Sequence, residues 1–406
     1  MQDESYFELR ISAQDLKSIE NTIPPSGQYC PHFLKCGGCQ LLNWDYAQQC
    51  DWKSRQMQAL CQDIQLTPKP FLGATTIFGY RHKNTYTLKA FKTQILGGFY
   101  AMNSKNLVTI NHCLIQDPQA EAIFNSLKVI LKQQKQQIYN PDYDEGYLKH
   151  IVIRISSATP EIMVILVNAS SDFPGRKNVV SALRKAHPEI TSIYENINPK
   201  QGPFVLSNKN TLLFGRATIT ERMGGLLFNL GPSSFFQVHP QQAEMMFKEA
   251  LSHMDLKATD TLVDLYCGVG VMALMCADQV KSVIGIESNP VAVKFANENA
   301  KLNQILNVQF LKKDVDEYMN TAEGADIVLM DPPREGASMG FINKLIKMNP
   351  RQILYISCNP LTQIRDLKQL SLQYKVTWIQ GIDLFPHTKH IESFAILEKK
   401  THRSQK

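Results

Sequence analysis

No stretch of the chain carries about 18 or more consecutive apolar residues, so the sequence offers no membrane-spanning helix. The first residues, Met-Gln-Asp-Glu-Ser-Tyr, lack the basic and apolar regions of a secretory signal, and the expected location is cytoplasmic. Internal repeats and low-complexity tracts are absent. With 44% apolar and 20% charged residues, neither a fibrous chain nor global disorder fits. No charge sign dominates: 43 Lys and Arg against 37 Asp and Glu give +6, compatible with a nucleic-acid partner without demanding one. A chain of 406 residues buries a large core unaided, in two or three domains, and needs no disulfides. Its nine Cys, an odd number, are therefore read as metal ligands, a nucleophile and core residues.

Residues 1–27 form a polar leader ending in Pro24-Pro25-Ser26-Gly27, to which no function attaches. A tight group follows: Cys30, Cys36 and Cys39, with Gly37 and Gly38 letting the backbone close around something. Tyr46 to Gln62 is amphipathic and predicts a helix carrying Cys50 and Cys61 on its face. Alternation then predicts paired strands at Tyr80 to Leu88, Ile95 to Tyr100 and Leu107 to Cys113, with a turn at Gly97-Gly98. A helix is expected over Glu121 to Gln137. Further strands are expected at Ile151 to Ser156, Ile162 to Asn168, Ile190 to Asn196 and Leu226 to Leu230.

From about residue 240, strands and helices alternate. Five successive βα units, including Thr261 to Leu265, Ser282 to Glu287 and Ile353 to Ser357, specify a doubly wound parallel sheet with ligands at the carboxyl ends of its strands. Gly268 and Gly270 allow a tight turn after the first strand, but the third glycine of a dinucleotide fingerprint is missing. Glu287 ends the next strand, where it can accept from both ribose hydroxyls, and Asp314 ends the third, within reach of an adenine amino group. This set suits a nucleoside cofactor without pyrophosphate, S-adenosylmethionine, although any one of these carboxylates alone reads as a loop residue or helix cap.

Asp331-Pro-Pro-Arg334 ends the fourth strand, and Arg334 can hold an anion bidentately. Amino-directed methyltransferases usually follow a similar Asp-Pro-Pro with a stacking aromatic residue, so Arg334 argues against them. Cys358 ends the fifth strand, where Asn359-Pro360 opens a helix whose dipole favours a thiolate. Glu392 starts a last strand expected beside that of Cys358. A cysteine nucleophile and a carboxylate base are the pair needed to methylate an unreactive ring carbon; His387 and His390 are alternative bases.

Taken together, Ser357-Cys-Asn-Pro-x-Thr-x-x-Arg-Asp-Leu, Asp383-x-Phe-Pro-x-Thr-x-His-x-Glu392, Asp264-Leu-Tyr-Cys-Gly-Val-Gly and Phe235-Phe-Gln237-Val resemble the RNA uridine C5-methyltransferases over residues 28 to 400. The resemblance implies Cys358 as nucleophile and Glu392 as base. It puts Gln237, Tyr266, Glu287, Asp314 and Asp331 at the cofactor, and Phe235 against the target uracil, with Arg81 and Lys83 near the RNA; Gly268 of the glycine turn is expected at the cofactor as well, and the anion-holding Arg334 at the substrate. The ribosomal-RNA branch carries a [4Fe–4S] cluster on a Cys-x5-Cys-x2-Cys triplet plus a distant Cys, here Cys30, Cys36, Cys39 and Cys113; the triplet by itself leaves zinc open. Radical enzymes use a Cys-x3-Cys-x2-Cys spacing that is not present.

The implied division is a leader (1–27), a cluster region with the start of the central domain (28–115), a β-rich RNA-binding domain (116–230) and a Rossmann-like methyltransferase domain (231–406). Two departures stand out. Val271 replaces a small polar residue, and the leader is too short for the β-barrel RNA-binding unit (TRAM) of many relatives. RNA affinity would then rest on basic residues such as Lys35, Lys53, Arg55, Lys149 and Arg154. Ribosomal RNA is the expected substrate, transfer RNA the runner-up, and the protein is expected to be a monomer. The rivals are a catalytically idle iron–sulfur RNA-binding factor, which needs neither Cys358 nor Glu392, and a cytidine C5-methyltransferase.

Overall fold

In a computed structural model describing residues 8–400 apart from 103, 105, 203 and 323, the apolar runs become two large sheets. The first has eight strands. Their order is Lys69–Leu72, Tyr374–Ile382, Glu392–Lys399, Gln352–Ser357, Ile327–Met330, Thr261–Leu265, Ser282–Glu287 and Val308–Lys312. The five expected strands run parallel, and the order reverses between Thr261–Leu265 and Ile327–Met330, the switch point where such sheets bind ligands. All six residues of Gln352–Ser357 are buried, as a strand covered on both faces requires.

Two strands extend this sheet beyond the expected set. Tyr374–Ile382 pairs antiparallel with Glu392–Lys399, and Lys69–Leu72 adds to its other side as an edge, where Pro70 is tolerated. Helix Tyr46–Gln62, at the expected bounds, packs against helix Pro360–Leu370 and this edge strand. The stretch 28–115 therefore contributes to both sheets.

The second sheet orders Leu107–Thr109, Gln94–Tyr100, Lys83–Phe91, Leu148–Ile155, Ile162–Asn168, Ile190–Ile197 and Asn210–Gly215. Its central strands are buried along most of their length because both faces are covered. Ile151, Ile153, Val164 and Leu166 pack under helices Pro118–Gln133 and Arg176–Ala186. Their alternate neighbours Val152, Met163, Ile165 and Val167 share a core with Phe236, Met246, Leu329 and Ile356. That shared core fixes the second sheet against the first.

Three local expectations change. The strand predicted from Tyr80 begins at Lys83, because Tyr80 is buried and its hydroxyl donates to Pro386 O at 3.0 Å. Gly97 and Gly98 lie inside a strand, and the turn is Lys92-Thr93, with Lys92 at φ +52°. The glycines answer crowding: an added Cβ would run into Phe124 at Gly97 and into the Val108 carbonyl at Gly98. Finally, the helix expected from Glu121 starts at Pro118, capped by the Asp117 side chain, which accepts from Gln119 N at 2.8 Å.

Candidate active site

Cys358 follows Gln352–Ser357 directly, and Pro360 opens helix Pro360–Leu370. The neighbouring loop is stitched to it: Asn359 Nδ2 and Thr362 Oγ1 both donate to Arg334 O, at 3.0 and 3.1 Å. Glu392 begins the antiparallel neighbour strand, as expected, and is 3% exposed. Its Oε2 has no hydrogen-bond partner among the described residues. Burial raises its carboxyl well above the ordinary range, Asp331 adds to the rise, and Arg334 opposes it.

The thiol of Cys358 is pushed up to about 12 by burial and by Glu392 and Asp331, against the pull of Arg334. The helix dipole does not produce a resting thiolate here, since desolvation and two carboxyl groups outweigh a single helix end. Of the alternative bases, His387 is structural: its ring meets Gln49 Nε2 at 3.1 Å and Ile77 O at 3.0 Å. His390 lies in the Cys358 cleft, and burial lowers it to about 4.

The other acidic strand ends line up beside this pair. Gly268 and Gly270 take the left-handed conformation, at φ +56° and +88°, as does Tyr266 at +65°, and Gly268 faces open space. Glu287 Oε2 accepts from Gly268 N at 3.2 Å and its Oε1 from Asn289 N at 2.7 Å, so it braces the glycine turn. Asp314 caps helix Val315–Thr321 through Glu317 N. Asp331 is raised to about 7 by burial and has no hydrogen bond among the described residues; neither has the Gln237 side chain. Asp264 reaches about 8 through burial, only partly offset by the Ala273 N–H. The open backbone at Gly268 and the Asp331 carboxyl without a hydrogen bond, at a switch point, fit a cationic nucleoside ligand. Val271 is the first residue of the following helix, Val271–Cys276.

Phe235 is 64% exposed, whereas its neighbour Phe236 is buried. The central sheet holds this loop: the Arg154 guanidinium donates to Ser234 O, and His82 N donates to Val238 O at 2.9 Å. Lys83 pairs in register with Arg154 and is lowered to about 7 by burial, with Arg154 and Arg81 adding to the effect. Arg154 thus reaches the loop that carries Phe235. Three other basic residues expected at the surface are internal or committed. Lys53 forms a fully buried ion pair with Asp383 at 2.7 Å, Arg154 grips Ser234, and Lys149 donates to Asn198 O and Lys200 O. Arg55 pairs with Asp51 on its own helix.

Cys30, Cys36, Cys39 and Cys113 line one cavity of about 300 Å³ with Gly37 and Gly38. Gly38 N donates to Cys36 Sγ at 3.3 Å, and Gly37 N to Tyr100 O at 3.1 Å, folding the triplet onto the second sheet. Among the described residues, no three Cys, His, Asp or Glu side chains converge on a single point as one metal ion requires.

Sequence reasoning missed Asp383 and Glu8 as partners. Asp383 takes Lys53 and the Tyr46 hydroxyl, and Glu8 meets Lys389 at 2.8 Å; no local signal announces pairs so distant in the chain.

The doubly wound sheet and its acidic strand ends define a Rossmann-like methyltransferase. Residues 216–400 match the family model described as tRNA (Uracil-5-)-methyltransferase. The chain is 34% identical over 380 residues to an uncharacterized RNA methyltransferase from Halalkalibacterium halodurans, covering 91% of this chain and 83% of that one. It is 33% identical over 393 residues to one from Staphylococcus epidermidis, covering 95% and 85%. The crystal structure of Pyrococcus abyssi tRNA (uracil-54, C5)-methyltransferase with S-adenosyl-L-homocysteine superposes with a TM-score of 0.74 at 26% identity, covering 90% of this chain and 86% of that one. The chain belongs to the RNA uracil-5-methyltransferase family, enzymes that methylate uracil C5 in RNA with S-adenosylmethionine as donor. No helix among the described residues is long and apolar enough to cross a membrane.

Proposed function

We propose that the protein methylates C5 of a uridine in 23S ribosomal RNA through a covalent adduct between Cys358 and uracil C6. The observation that carries this reading is the pairing of Cys358 with the buried, unpartnered Glu392 at adjoining strand ends. A loop uridine leaves its stack at small cost and rests against Phe235, whose exposed ring suits a base. The Cys358 thiol gives up its proton to solvent as Sγ bonds to C6, and the electrons of the C5=C6 bond move into the C4 enolate. C5 then takes the methyl group. Glu392, in its carboxylate form, removes the C5 proton, the double bond re-forms, and the departing Cys358 thiolate takes a proton back from solvent. S-adenosylmethionine, when bound, supplies the methyl group as a sulfonium and leaves as a neutral thioether. Gln237, Tyr266, Gly268, Glu287, Asp314 and Asp331 hold it, and Arg81, Lys83 and Arg334 meet RNA phosphates.

The ribosomal assignment rests on Cys30, Cys36, Cys39 and Cys113, which would hold a [4Fe–4S] cluster as structural thiolate ligands. Transfer RNA is the second reading, favoured by the likeness to the tRNA (uracil-54, C5)-methyltransferase. Mapping 5-methyluridine in ribosomal and transfer RNA from cells with and without the gene decides. Loss of a 23S site supports the proposal, loss of a tRNA site transfers it to the second reading, and loss of 5-methylcytidine overturns the base assignment.

A further inference from the structure

The cleft above Cys358 is narrowed by the leader. It is lined by Arg334, Cys358, Lys389 and His390, and by Glu8 and Leu9 from the opposite end of the chain. The free space left within it is about 10 Å³, room for one water molecule and too little for a pyrimidine ring.

The leader arrives there because it is anchored. Helix Ala13–Asn21, capped by Ser12, buries Ile19 against Leu41, Trp44 and Trp52, and Leu9 and Ile11 pack on the same cluster. Trp44 Nε1 donates to Ser18 Oγ at 3.2 Å, Asn43 Nδ2 to Ile19 O at 3.1 Å and Trp52 Nε1 to Asp15 Oδ2 at 3.3 Å. Residues 8 and 9 are thus held over the nucleophile by a docked element.

Glu8 is the anion at this mouth. Lys389 Nζ donates to its Oε2 at 2.8 Å, and both side chains are partly exposed. Arg334 and His390 are its other titratable neighbours, and together with Lys389 they lower the Glu8 carboxyl. The Arg334 guanidinium makes no hydrogen bond among the described residues. A lysine and an arginine at the rim of a site that receives RNA have the chemistry of a phosphodiester subsite, and a partly exposed ion pair exchanges readily for a phosphate.

We propose that Glu8 and Leu9 form an internal plug. Glu8 holds, on Lys389 beside Arg334, the place of a phosphate flanking the target uridine, and the plug withdraws when that phosphate binds. This rests on the reading of the protein as an RNA uridine methyltransferase. The plug makes RNA binding a competition within the chain, without altering the chemistry that follows.

The test is steady-state methylation of unmodified 23S ribosomal RNA and transfer RNA transcripts by the full chain and its Glu8→Gln, Lys389→Met and doubly substituted forms. Glu8→Gln is expected to lower KM for RNA about three-fold with kcat unchanged. Lys389→Met is expected to raise KM and to abolish the effect of Glu8→Gln. An unchanged or higher KM in Glu8→Gln overturns the plug, as does an equal fall in the Lys389→Met background, which would mark a general charge effect. A wild-type chain inactive on both transcripts overturns the methyltransferase reading itself, and the proposal with it.

Discussion

Ser357 pairs with Ser393 across antiparallel strands, and that register sets Cys358 beside Glu392. A slip of one residue would turn Glu392 to the opposite face of the sheet. The pair is therefore a product of sheet closure.

If Glu392 removes the C5 proton, its loss stalls the reaction after the C–S bond has formed. Glu392→Gln is expected to reduce turnover at least about 100-fold while a covalent RNA–protein species accumulates on ordinary uridine-containing RNA. Denaturing gels read this directly. Lost turnover with no retained RNA would place Glu392 before bond formation.

Burial holds protons on Asp331 up to about pH 7 and on Asp264 up to about pH 8. A cation binding beside them must displace those protons, so affinity for the sulfonium cofactor is weakened below these values. It rises as pH passes through 7 to 8 and then levels. S-adenosylhomocysteine lacks the sulfonium charge and serves as the reference. The ratio of the two affinities, measured by calorimetry, is expected to grow about ten-fold between about pH 6 and 8, and Asp331→Asn is expected to flatten it.

The Lys53–Asp383 pair has no exposed surface, and Lys53 Nζ also donates to Phe385 O at 3.1 Å. Lys53→Met leaves a buried carboxylate without its counter-charge and is expected to cost about 3–5 kcal/mol in urea unfolding. Arg55→Ala, which breaks the exposed pair with Asp51, is expected to cost under about 0.5 kcal/mol. Equal losses would contradict the burial argument.

How legible this was depended on how local each signal is. The five parallel strands read clearly as short runs rich in Val, Ile and Leu that lead to Gly268, Glu287, Asp314, Asp331 and Cys358, although Val308–Lys312 at the sheet edge is only partly buried. Tyr374–Ile382, whose first half carries exposed polar residues, and the edge strand Lys69–Leu72, which holds Pro70, did not. The acidic strand ends stood out as candidate ligands and, taken singly, as loop residues or helix caps; the hold of Glu287 on the glycine turn was not foreseen. Glu287 holds Gly268 N, and Asp314 caps a helix. Lys53 read as a surface cation because its partner lies in the loop before Glu392. Cys358 read as a ready thiolate because the helix after it was visible, whereas the burial that raises its thiol, together with Glu392 and Asp331, is set by the closed sheet.

Protein purified without oxygen is expected to be brown, with a broad visible absorbance and about four iron atoms per chain. Cys36→Ser is expected to bleach it. A colourless protein holding one zinc would contradict the cluster.

The most direct test of the central claim is RNA carrying 5-fluorouridine, in which fluorine at C5 blocks the final proton removal. With S-adenosylmethionine, the wild-type protein is expected to form a stable adduct whose linked peptide contains Cys358, and Cys358→Ala is expected to form none. Absence of an adduct on both ribosomal and transfer RNA, or an adduct undiminished in Cys358→Ala, would contradict nucleophilic methylation by this residue.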